Sequence, residues 1–200
     1  MLKFKILFIL TLFTLFIDAQ DLYKSYYNAF SKKYFNTYIA HNDINEYVLF
    51  IDLLSTDSNR KYGGIMVSTV EHENFLQILD SAKQKYVEWI DIAKKNNIHS
   101  FNKKMKYKSI VGGGYFEHKK DLNIEYLIYL SFNFKIDEDK YYLSFKTGEL
   151  ASTIDNSIKH EGFVLIFSSV EEIEYFIELL SKDNVNVFLK NNNNFDLFKD

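Results

Sequence analysis

The stretch Leu122-Asn123-Ile124-Glu125-Tyr126-Leu127-Ile128-Tyr129-Leu130-Ser131-Phe132-Asn133-Phe134-Lys135-Ile136 alternates apolar and polar side chains along most of its length. A period of two marks a β-strand with one buried face. The even positions from Leu122 to Ile136 are therefore expected in the core, and Asn123, Glu125, Asn133 and Lys135 in solvent. At about 3.3 Å per residue such a strand would span roughly 50 Å, longer than strands usually run, so a bend or bulge is expected to divide it. Leu127 and Tyr129 break the polar face at mid-strand, which marks a place where the second face is covered or meets a ligand.

Working outward, Asp137-Glu138-Asp139 supplies a turn, and Lys140–Thr147 returns with Tyr141, Leu143 and Phe145 alternating, so the pair reads as an antiparallel hairpin. Upstream, Ile110–Phe116 is a strand that contains Gly112-Gly113-Gly114, expected as a bulge or tight bend. Phe163–Phe167 is wholly apolar, as for a strand buried on both faces. Tyr47–Leu54 and Tyr62–Val67 read as a hairpin whose long loop begins at Ser55-Thr56-Asp57-Ser58-Asn59. From Gln20 to Asn45 the chain is aromatic without a period, and a short helix or coil leading into a strand near Phe35–Ala40 is expected.

Two helices are marked by their starts. Ser68-Thr69-Val70-Glu71 has the spacing of a capping box, and Phe75, Leu79, Ala82, Tyr86, Trp89 or Ile90, and Ala93 follow at helical spacing until Asn96-Asn97. Ser168-Ser169-Val170-Glu171 repeats the cap, followed by Val170, Ile173, Phe176 or Ile177, and Leu180. Met66–Ser81 thus overlies Ile166–Ser181 at an offset of one hundred. The echo reads either as two copies of a strands-then-helix unit or as two unrelated helices that share a good cap. Both readings give an α+β fold, a mostly antiparallel sheet with two amphipathic helices.

The N-terminus differs in kind. Lys3 and Lys5 precede an apolar run from Ile6 to Ile17, with Ala19 at a cleavage position, the layout of a secretory signal peptide. Twelve apolar residues fall short of the ~20 that a membrane-spanning helix needs. Phe16-Ile17-Asp18-Ala19-Gln20 resembles the signal-peptide ends of exported Bacteroidota proteins, where a glutamine often follows the cleaved alanine. The expected organisation is a signal peptide at 1–19, a single α+β domain at 20–188 and a flexible tail at 189–200. Cleavage would move the net charge from −3 to −4, which does not attract a polyanion. The expected place is therefore the periplasm or the cell exterior, with no stable membrane anchor after cleavage.

The 200 residues include no Cys and no Pro. That removes disulfides, thiol nucleophiles, cysteine-ligated metals and proline-rich linkers. The five histidines, His41, His72, His99, His118 and His160, have no pair at metal-binding spacing and are expected at the surface. Asp137-Glu138-Asp139 lacks the ligand spacing of a calcium loop. The lysines of Phe101–Lys119 read as a solvated strand edge, so no nucleic-acid partner is expected. A Ser-His-Asp triad is neither supported nor excluded, because it depends on proximity in space. No catalytic, cofactor-binding or metal-ligating residue is assigned, and no cofactor is expected.

What remains is an aromatic content of 18%, with fifteen Tyr and nineteen Phe. Core filling accounts for most of it. Tyrosines on a sheet face can also stack on sugar rings or anchor a protein, since each joins an apolar ring to a hydroxyl. The expectation is an exported, non-catalytic binding or interaction module with a glycan or protein ligand on an aromatic surface. The alternatives are a small hydrolase whose site is assembled from distant residues, and a purely structural protein.

Overall fold

The structure, a computed structural model, describes residues 21–43, 46–57 and 62–196. The expected signal peptide lies outside the described residues, as do residues 197–200 of the expected tail. The chain forms β1 (Asp21–Asn28), β2 (Lys33–Asp43), β3 (Glu46–Asp52), β4 (Leu54–Ser55), β5 (Gly63–Ser68), α1 (Thr69–Lys95), β6 (Phe101–His118), β7 (Asp121–Asp137), β8 (Lys140–Lys146), β9 (Leu150–Ala151), β10 (Lys159–His160), β11 (Phe163–Phe167), α2 (Val170–Leu179) and α3 (Lys182–Asp196). Nine strands make one antiparallel sheet in the order β1-β2-β3-β5-β6-β7-β8-β11-β4, and β9 pairs with β10. This is the α+β architecture that the strand and helix patterns require.

Connectivity curls the sheet. β4 follows β3 after one residue, yet it pairs with β11 at the far end, through Phe163↔Ser55 and Val164↔Leu54. The last long strand is thereby brought back to the chain leaving the third. α1 lies in the resulting hollow, in contact with β3, β5, β6 and β8, and buries His72, Phe75, Leu79, Ala82, Tyr86 and Ala93. α2 and α3 pack on this same inner side, since Ile173, Phe176, Leu180, Val185 and Leu189 belong to the same core as Phe75 and Phe145. Each fully buried ring there contributes roughly 1.5–3 kcal/mol from removal of apolar area from water.

The unit of four neighbouring strands followed by a helix occurs twice, as β1-β2-β3-β5 then α1, and as β6-β7-β8-β11 then α2. The junctions differ by one residue. β5 runs directly into α1 with Ser68 as N-cap, whereas Ser168 and Ser169 separate β11 from α2 and the cap is Ser169, not Ser168. Ser169 Oγ accepts from the Glu172 amide at 3.2 Å. Ser68 has no side-chain bond to the helix backbone, and its hydroxyl donates to the Glu71 carboxylate instead. The twin capping box expected at Ser68/Glu71 and Ser168/Glu171 is therefore corrected to a single side-chain cap at Ser169, with the Glu172 carboxylate reaching back to the Ser168 amide rather than to the amide of the cap residue.

The deciding strand is divided, as its length demanded, but with a consequence that the alternation conceals. Leu127 adopts a left-handed conformation, φ 56°. Beyond it, Ile128, Leu130, Phe132, Phe134 and Ile136 enter the inner core. Before it, Leu122, Ile124 and Tyr126 pack on Ala40, Phe50, Met66 and Tyr115, a separate cluster on the outer face. β6 changes face at the opposite point, with Val111 in the inner core and Tyr115 in the outer cluster. Gly112 stands across from Leu127, between the pairs Val111↔Ile128 and Gly113↔Tyr126, and the register does not slip there. Asn123, expected in solvent, is 5% exposed. Leu127 and Tyr129 are exposed rather than covered. A pattern of period two misses such a rotation because leucine, isoleucine and tyrosine are apolar whichever face they join.

Two further expectations are corrected. The strand expected near Phe35–Ala40 lies within β2, but the segment before it is strand β1 rather than a short helix or coil, with Tyr23 and Tyr26 inward and Tyr27 and Tyr34 outward, so both faces are aromatic and no period emerges. Helix α3 extends through residue 196 and buries Leu189, where a flexible tail was expected from residue 189.

Candidate functional site

Cross-strand register assembles the outer face in rows. One row runs Tyr126, Gly113, Met66, Phe50, Tyr38 from β7 to β2. Gly113 stands where no side chain fits: a Cβ there would lie 2.4 Å from the Glu125 carbonyl oxygen on the neighbouring strand and 2.4 Å from Met66 Cε. The next row runs Ile124, Tyr115, Gly64, Asp52. Tyr115 is fully buried, and its hydroxyl passes Gly64 to donate to Asp52 Oδ1 at 2.7 Å. Tyr62 lies at the edge of this row, its ring 6.1 Å from that of Tyr115.

Burial pushes the Asp52 carboxyl up to about 6, against the opposing effect of the Tyr115 hydroxyl and the Asn36 backbone amide. Tyr62 is pushed up to about 12 by burial and by the neighbouring Asp52. The outcome is a carboxyl whose ionisation is disfavoured by burial, set among tyrosine hydroxyls.

Toward β1 the face becomes open and wet. Tyr27 and Tyr34 pair across the strands with ring centroids 5.1 Å apart, and are 47% and 73% exposed. Beside them Ser25 Oγ donates to Asn36 Oδ1 at 2.8 Å, and Asn36 Nδ2 donates to the Tyr38 hydroxyl at 2.9 Å. The Tyr38 oxygen thus accepts from within, leaving its own proton to donate outward. Tyr34, Asn36 and Tyr38 alternate on one side of β2 and span about 13 Å at ~3.3 Å per residue.

Two buried histidines, both expected at the surface, lie in the interior. His72 receives the Tyr47 hydroxyl at Nδ1, 2.6 Å, and sends Nε2–H to the Leu180 carbonyl at 2.7 Å. That fixes the neutral tautomer, and burial lowers its pKa. His160 approaches Ser55 Oγ at 3.1 Å through Nε2, a serine–histidine contact that no spacing in the sequence announces. Its Nδ1 accepts the Gly162 amide at 2.9 Å, so in the neutral ring the proton is on Nε2 and points at Ser55. Ser55 in turn donates to the Asp57 carbonyl at 2.9 Å. A general base must accept the serine proton, and this tautomer offers one instead.

His41, His99 and His118 are apart from these, with His99 paired to Asp139 at 2.5 Å. Among the described residues no three His, Asp or Glu converge as a metal site, and no helix is long and apolar enough to cross a membrane. The lysine-rich half of β6, through Lys108, extends past β5, so its side away from β7 has no strand partner, the edge position expected for it. Among the described residues most phenylalanines fill the core, while the exposed rings are chiefly tyrosines. No sequence pattern marks Asp52 as a site residue, and Tyr38, Tyr62 and Tyr115 enter the sequence reading only as members of aromatic or strand stretches; Asp52 within the apolar run Tyr47–Leu54, facing Gly63-Gly64, is the available signal. In comparisons with protein-family models, curated proteins and solved structures, nothing matches the chain.

Proposed function

We propose that the protein is an exported, non-catalytic binding module acting in the periplasm or outside the cell, and that its outer sheet face takes a carbohydrate. One observation carries this reading: the exposed Tyr27–Tyr34 pair stands beside the Ser25–Asn36–Tyr38 hydrogen-bond chain. Sugar rings present apolar C–H faces together with hydroxyls, and tyrosine rings flanked by oriented polar groups answer both needs. A protein ligand would favour an apolar, desolvated centre with a polar rim, and here the groups between the exposed ring pair and Tyr38 are the polar Ser25 and Asn36. The alternative, a small hydrolase, has its best support in the Ser55–His160 contact, and the tautomer held by Gly162 counts against it.

The test is a thermal-shift panel of cellohexaose, chitohexaose, laminarihexaose and mannohexaose on the full chain and on Tyr34→Ala. A saturating ligand raises stability by RT ln(1 + [L]/Kd). A shift with at least one hexaose, lost in Tyr34→Ala, supports the reading. No shift with any of them, or shifts that Tyr34→Ala leaves unchanged, overturns it.

A further inference from the structure

Away from the tyrosine face, the last turns of α1 and the first residues of β6 leave a hollow of about 210 Å³ over the end of β7. Its walls are Trp89, Ile92, Ala93, Phe101, Phe134 and Ile136, and its polar group is Lys103. Ile92 and Phe101 remain exposed there, so apolar surface faces water at the mouth.

The rim is cationic. Lys103 Nζ lies 4.9 Å over the Trp89 ring, and Lys94 Nζ lies 5.8 Å from the centre of Tyr141. Neither lysine forms an ion pair among the described residues, whereas the neighbouring carboxylates do: Asp91 with Lys95, Asp137 with Lys135, and Asp139 with His99. The carbonyls at the end of α1 are satisfied as well, because Asn96, Asn97 and Ile98 donate to Ile92, Lys94 and Ala93. Lys103 therefore stands beside the apolar depression without an ion pair among the described residues.

We propose that this hollow binds a medium-chain fatty-acid anion, its alkyl chain against Trp89, Ile92 and Phe101 and its carboxylate on Lys103. The charge selects an anion, and the walls select an aliphatic body. The volume selects a short one, since it falls below the roughly 300–1,000 Å³ of drug-sized sites. A folded partner would need about 800 Å² of surface per side, far more than the hollow offers.

Trp89 is the single tryptophan of the chain, so its emission reports on this site alone. Octanoate, octanol and octylamine are titrated into the full chain below their aggregation limits, with Lys103→Gln and Ile92→Glu as variants. Octanoate should change Trp89 emission saturably, and octylamine should not. Loss of a charge-assisted bond should weaken octanoate about tenfold in Lys103→Gln while octanol binding stays unchanged. Ile92→Glu, at an exposed position, should abolish the octanoate response without moving the urea midpoint. Failure of octanoate to saturate, equal binding of octylamine, or an unaltered Lys103→Gln titration would overturn the proposal. None of these outcomes bears on the tyrosine face.

Discussion

The Tyr115 hydroxyl reaches Asp52 Oδ1 at 2.7 Å by crossing Gly64, so β6 and β3 are joined over the intervening β5 on the outer face. The bond opposes a larger effect, the burial that raises the carboxyl to about 6 from its ordinary 3.8. Between those values the folded chain holds a proton that the unfolded chain releases. The Asp52 contribution to stability is thus fully present below about pH 4 and lost as pH rises through about 6, an effect of about 3 kcal/mol. Urea melts at pH 4 and pH 7 should show that Asp52→Asn removes this part of the pH dependence. Tyr115→Phe should shift the titration further upward.

His72 acts in the opposite sense. Its folded pKa lies below the ordinary 6.5, chiefly through burial, so its contribution is present above that value and is lost as pH falls. Tyr47→Phe removes the hydroxyl that donates to Nδ1 and leaves a buried acceptor unsatisfied, at a cost of about 1–3 kcal/mol at neutral pH. Urea melts at pH 7.5 measure it.

Glu172 holds the start of α2 to the first hairpin. Its Oε1 accepts from the Tyr26 hydroxyl at 2.7 Å, from Asn28 Nδ2 at 3.0 Å and from the Ala29 amide at 3.0 Å, and its Oε2 from the Ser168 amide at 2.8 Å. Glu172→Ala should cost about 3 kcal/mol in urea melts, and the exposed Glu171→Ala no more than about 0.5. Ser169→Ala should cost about 1 kcal/mol through loss of the cap, and Ser68→Ala less.

The face change makes a separate prediction. Leu127 is exposed and left-handed, a conformation that costs a residue with a Cβ roughly 1 kcal/mol, so Leu127→Gly should raise stability by about that amount. Leu130→Ala, three residues on and fully buried, should lose about 2–5 kcal/mol. Equal losses at the two sites would contradict the rotation at Leu127.

The class of the fold could be read from Leu122–Ile136 and the two helix stripes because periodicity reports a buried face directly. What the sequence withheld were relationships in space. The rotation at Leu127 exchanges one apolar side chain for another, and the return of β4 to β11 rests on two residues, Leu54 and Ser55, that carry no strand signal of their own. The histidines were misplaced for a similar reason: His72 and His160 are buried because each finds hydrogen-bond partners from distant segments, Leu180 for one and Ser55 for the other. Of the candidate site, only the abundance of tyrosine was legible. That Tyr27, Tyr34 and Tyr38 share an outer face while Tyr23 and Tyr26 are buried follows from register alone, whereas the burial of Tyr86 is legible in the helical stripe of α1.

The most direct test of the proposal that the outer face takes a carbohydrate follows tyrosine ring resonances in the full chain, selectively labelled, during titration with cellohexaose, chitohexaose, laminarihexaose and mannohexaose. The predicted result is that a binding hexaose shifts the rings of Tyr27, Tyr34 and Tyr38 while those of Tyr23 and Tyr86 stay in place. If no hexaose moves the outer rings, or if the rings that move are confined to other parts of the chain, the outer face is not a carbohydrate site.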